Sequence, residues 1–103
     1  DIPRMSQITN EMVHNSLQAF MDNNAKAAVN VIGMDEVVDN MYDQIFRELL
    51  MFMMTDPKTI NRATRLIWVA HDIERAADRA TNICERVVYM VTGKIGDLGV
   101  SKY

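Results

Sequence analysis

The sequence predicts an all-α fold, an antiparallel up-down-up three-helix bundle with long helices, on three observations. Glycine and proline are scarce, four and two among 103 residues, so little interrupts a helix. Nine methionines recur at helical spacing, and β-branched residues come singly rather than in strand-like runs. Two interruptions then divide the chain into three amphipathic stretches, and short connections between long helices make neighbours antiparallel. With 49% of its residues hydrophobic, the sequence suits one small domain over residues 1–103, with a modest core and no room for a second.

Helix A is expected over about residues 4–31, where Met5, Ile8, Met12, Leu17, Phe20, Ala27, Ala28 and Val31 repeat at helical spacing. Gly33 interrupts it. Met34, Val38, Met41, Ile45, Leu49 and Phe52 then carry helix B over about 34–55. Asp56-Pro57 is a start signal, because Asp caps free backbone N–H groups and Pro is tolerated at the first helical position. Helix C follows over about 57–92, through Ile60, Ala63, Leu66, Ala70, Ile73, Ala77, Ala80, Cys84, Val87 and Val91, until Gly93 stops it. Residues 94–103 read as a loose tail.

Composition narrows the function classes. The formal charge is -3 and the basic residues are dispersed, which argues against nucleic acid as a partner. No stretch is long and apolar enough to span a bilayer, and the N-terminus lacks the order of a signal peptide, so a soluble cytoplasmic protein is expected. The single Cys84 falls in phase with the core and has no His in register to activate it, so it reads as a small buried hydrophobe. No phosphate-binding glycine loop and no paired nucleophile and base are present.

The informative pattern is acidic. On helix C, Glu74, Asp78, Asn82 and Glu85 form a stripe beside the apolar one. On helix B, Asp35, Asp39 and Asp43 do the same at intervals of four. The helices meet at the Asp56 turn, so residues equally far from it should lie side by side. Asp39 is 17 positions before the turn and Glu74 is 18 after; Asp35 is 21 before and Asp78 is 22 after. Four carboxylates on one seam repel one another unless a cation neutralises them, and all-oxygen ligation suits magnesium, manganese, calcium or iron.

Plainer readings account for the same residues. Asp35 and Glu36 would lie in the first turn of helix B, where the helix dipole favours acids. Glu74 and Asp78 alternate with Arg75 and Arg79, as on a solvated face laced with ion pairs. His71 shares the stripe and offers a nitrogen ligand or only a hydrogen bond. Glu11 and His14 spell the Glu-x-x-His of di-iron bundles, which need two such pairs where one is present. A carboxylate-bridged di-metal enzyme and a purely structural oligomerisation module stand as alternatives. Met51, Phe52, Met53 and Met54 read as core or interface, and Trp68 falls off the apolar stripe, as a contact anchor or a partly packed ring.

Two segments carry a family resemblance. One runs from Asp35 through Asp39 to Leu50 and continues as Met53-Met-Thr-Asp-Pro57; the other runs from Ile73-Glu-Arg-Ala-Ala-Asp78 through Asn82-Ile-Cys-Glu85 to Gly93. The chain resembles the PhoU family of phosphate-transport regulators over Met5 to Gly93, and is most similar to the second of that family's two repeats. The family signature, an acid followed four residues later by Asp on each of two helices, matches Asp35 and Asp39 and then Glu74 and Asp78. The resemblance implies metal at these four, whether iron, zinc, magnesium or manganese, in one or several ions. It also implies a non-enzymatic adaptor that links the phosphate ABC transporter ATPase to a sensor histidine kinase and keeps the starvation response repressed. Such an adaptor would meet the membrane only through its partners. A typical member has two such bundles, so the resemblance implies either a piece of a longer two-bundle protein or a single-repeat protein that restores the pair as a homodimer.

Overall fold

Each helix boundary has a local chemical cause. The computed structural model describes residues 2–93; the expected tail at 94–103 lies outside the described residues. Helix α1 spans Ile2–Asp22, α2 spans Ala25–Thr55, and α3 spans Ile60–Thr92 after a one-turn 3₁₀ segment at Pro57–Thr59. The all-α prediction holds, and among the described residues there is no strand.

The first break falls at Asn23-Asn24, ten residues before the expected one at Gly33. Asn23 takes a left-handed φ of 51°, which Asn tolerates better than most residues. Asn24 is the N-cap of α2: its N–H donates to the Ala19 carbonyl at 2.9 Å, and its side-chain oxygen accepts from Ala27 N–H at 3.0 Å. Gly33 lies inside α2, and a Cβ there would meet nothing within 4 Å. Gly33→Ala is therefore expected to stabilise the fold by about 0.5–1 kcal/mol, read as a higher urea midpoint at unchanged slope.

At the second turn the Asp56 carboxylate accepts from Lys58 N–H at 3.1 Å, and the Thr59 hydroxyl closes on the Asp56 carbonyl at 2.7 Å. The Pro start expected for helix C is thus a 3₁₀ turn that leads into α3. Gly93, at φ 74°, caps α3 as expected.

Packing follows a heptad seam. On α1 the buried residues are Met5, Thr9, Met12, Ser16 and Ala19, spaced alternately by four and three. On α2 the same rhythm runs Ala28, Val31, Asp35, Val38, Tyr42 and Ile45, with all but Asp35 and Tyr42 buried. On α3 Ala63, Ala70, Ala77 and Cys84 recur every seven residues. These small side chains let the neighbouring helices approach closely. Grooves lined by Ser6, Thr9 and Ile73, and further along by Ser16, Ala80 and Ile83, show α1 running parallel to α3. Met51, Phe52 and Met54 are exposed, so they do not belong to this core, and Trp68 is exposed as well.

Candidate metal centre

Where Asp35 sits decides how the acidic rows are read. Because α2 starts at Ala25, Asp35 is in its third turn and not its first, so the helix dipole gives no reason for an acid there. It occupies a seam position between Val31 and Val38, where the heptad rhythm asks for an apolar side chain. The ion-pair reading also loses its support. Among the described residues no ion pair joins Arg75 or Arg79 to Glu74 or Asp78; the pair formed there is His71 Nδ1 with Glu74 Oε1 at 4.0 Å. Arg75 and Arg79 instead line the groove between α1 and α3, with Asp72 and Ser16.

The register count from the Asp56 turn holds. One carboxylate oxygen from each of Asp35, Asp39 and Asp78 lies within 4.8 Å of the others, and all three side chains are half-buried. Glu74 closes on Asp39 within hydrogen-bonding reach, so both antiparallel pairings form: Asp39 with Glu74 and Asp35 with Asp78. The Thr81 hydroxyl donates to the Ala77 carbonyl at 3.2 Å, and Asp35 Oδ1 is buried without a hydrogen-bond partner. Asp43 is exposed and acts on the group only through its charge. His71 is exposed and lies against the Tyr42 ring at 6.1 Å between centroids, beside the group rather than in it.

Every carboxyl of the group is harder to ionise than usual. Burial and then contact with Asp39 push Glu74 up to about 7. Asp35 is raised by burial and then by the charge of Asp78. Burial comes first for Asp39 too, followed by the charge of Asp35; for Asp78 it is burial followed by the charge of Asp39. Carboxylates that destabilise one another share a proton or a cation, and an oxygen-only donor set of this kind suits a divalent cation. Asp35, Asp39 and Asp78 supply three converging oxygens, with Glu74 beside them.

Two other sequence candidates resolve differently. Glu11 and His14 are exposed on α1, so the Glu-x-x-His pair is not part of the acidic seam. Cys84 is fully buried, and its thiol is pushed up to about 11, first by burial and then by the charge of Glu85. A thiol so held is not a nucleophile near neutral pH. Sequence periodicity missed the depth of Glu85, which is 5% exposed although it sits on the polar side of the stripe. The signal was its phase: two turns past Asp78, a helix carries it about 20° further toward the core centre.

The model of the PhoU domain matches residues 2–87. Among curated relatives, the phosphate-specific transport system accessory protein PhoU homolog 2 of Thermotoga maritima is 45% identical over 94 residues, covering 91% of this chain and 40% of that protein. The PhoU homolog of Caulobacter vibrioides is 42% identical over 93 residues, covering 90% and 40%. That of Clostridium acetobutylicum is 38% identical over 98 residues, covering 95% and 45%. The chain thus spans less than half the length of these relatives. On the domain match, and on 45% identity to a relative over 91% of the chain's length, the chain belongs to the PhoU family.

Proposed function

We propose that this chain is a non-enzymatic, metal-binding regulatory module of bacterial phosphate uptake. The observation that carries the reading is the half-buried convergence of Asp35, Asp39 and Asp78, with Glu74 beside them, on the seam of α2 and α3. An acid in a core seam position costs folding energy unless something compensates it, and a bound divalent cation supplies that compensation while fixing the two helices against each other. Asp35, Asp39, Glu74 and Asp78 are the ligands in this account, with iron, manganese, magnesium or zinc as the ion.

The names of the relatives, accessory proteins of phosphate-specific transport, support a place beside the transporter. In the proposed role a metal-braced bundle links the phosphate ABC transporter ATPase to a sensor histidine kinase in the cytoplasm. It pairs with a second such unit, as a homodimer or within a longer chain, and residues 1–103 fold as one domain. The exposed Met51, Phe52, Met54 and Trp68 are apolar surface available for such contacts.

Metal analysis of protein purified without chelator, beside the Asp39→Ala plus Asp78→Ala variant, tests the site. Bound metal in the parent and near none in the variant is expected; equal, near-zero metal in both rejects it. A pull-down against the transporter ATPase and the kinase should retain at least one of them, and failure with both rejects the adaptor role.

A further inference from the structure

On the flank of α3 that faces away from the acidic seam, a groove runs along α1. Two hollows compose it, of about 390 and 280 Å³, and they share Asp72 and Ala76. Ser16, Ala76 and Ala80 are small, so a further helix can lie close over them. Arg75 and Arg79 also line the groove, and among the described residues neither they nor Asp72 take part in an ion pair. Trp68, one turn before Asp72, is 65% exposed. On a helix advancing about 100° per residue, Trp68, Asp72, Arg75, Arg79 and Ile83 fall within about 80° of arc, a single outward stripe.

We propose that this stripe and groove form the contact between two copies of the chain, with the two α3 helices antiparallel about a two-fold axis that passes between Arg75 and Ala76. This rests on the reading above that the chain pairs with a second such unit, and it gives that pairing a face and a register. A two-fold sets residues equally far from it level with one another. Asp72 then stands opposite Arg79 of the second copy, and by symmetry the pair forms twice, so charges left unpaired within one chain are matched across two. Arg75 lies over Ala76 of the second copy, whose methyl leaves room for it. The same register, set by the charges alone, brings the exposed Trp68 level with Ile83, a half-buried side chain of the groove. Trp is among the residues that anchor such contacts most strongly. Arg65 and Arg86 also come level, at the outer ends, where both are exposed and long enough to turn into water. A different protein would give no reason for an acid and a base to sit equally far from one point, whereas a self-matching face does. The acidic seam stays open, since Glu74 and Asp78 lie on the other flank of α3.

Sedimentation equilibrium on the full chain reads the assembly. The parent is expected to dimerise. Asp72→Arg sets like charges opposite each other twice and is expected to raise the dissociation constant at least about 100-fold, and Asp72→Arg combined with Arg79→Asp is expected to restore the dimer. A monomeric parent would remove the homodimer and this face with it. A dimer that Asp72→Arg leaves equally tight overturns the face while leaving the pairing intact, and a weakened dimer that the charge swap does not restore overturns the register. The chain's single tryptophan, Trp68, reads the parent without any substitution. Its emission is expected to move to shorter wavelength as the chain associates, and an emission unchanged through association contradicts the proposal whatever the variants do.

Discussion

Raising the pH of the metal-free chain from about 5 to about 8 is expected to lower its thermal midpoint by roughly 10 °C, and a saturating divalent ion is expected to reverse the fall. The sign follows from the direction of the shifts. Glu74 ionises near 7 in the folded chain against 4.5 for the free group, and Asp35, Asp39, Asp78 and Glu85 are raised as well. A raised carboxyl binds its proton more tightly when folded. Its stabilisation is complete below the unfolded value and is lost as pH rises through the folded one. For Glu74 that window runs from about 4.5 to about 7, and its loss is on the order of 2 kcal/mol. An ion at about 100 times its dissociation constant returns some 2.7 kcal/mol. Calorimetry across this range, with and without metal, checks both parts. A metal-free midpoint that stays level or rises over the window would contradict the acidic cluster as described.

Met12→Ala is expected to cost about 3 kcal/mol, near 15 °C in thermal midpoint, while Met51→Ala changes stability by less than about 0.5 kcal/mol. Met12 is fully buried on the α1 seam, whereas Met51 is 67% exposed. The cavity left by Met12 should persist, because the core residues of α3 are largely Ala70, Ala77, Ala80 and Cys84, too short to swing into it. Urea unfolding of the two variants gives the comparison. Similar small losses in both would mean that the α1 seam is not packed against the other helices as described.

The helical phase of α3 and the pairing of the acidic rows were legible in the sequence because both depend on spacing. Asp56-Pro57 is a strong local signal, and counting outward from it put Asp39 level with Glu74 and Asp35 level with Asp78, as the folded chain has them. The first turn was not legible. Gly33 looked like a breaker, yet a lone glycine costs a helix only about 1 kcal/mol, which packing of Val31 and Val38 outweighs. Asn23 and Asn24 carry the break through a left-handed residue followed by a side-chain cap, chemistry that apolar spacing does not register. That error hid the standing of Asp35, which could be recognised as a seam residue only once α2 began at Ala25. Glu85 escaped for a related reason. Spacing gives an angle around the helix, but how deep that angle lies depends on the partner helix. The exposed Met51, Phe52 and Met54 sit at helical spacing like core residues, and their exposure at the tip of α2 is likewise a tertiary fact.

The central claim is that Asp35, Asp39, Glu74 and Asp78 hold a cation between α2 and α3. A crystal grown with Mn²⁺, with anomalous scattering recorded near the manganese edge, tests it most directly. The account predicts a peak on the seam within about 2.0–2.6 Å of carboxylate oxygens from both helices, spanning the oxygen-ligand distances of divalent ions. A map with no peak on that seam at saturating metal, or with peaks only at exposed acids such as Asp43, would contradict it.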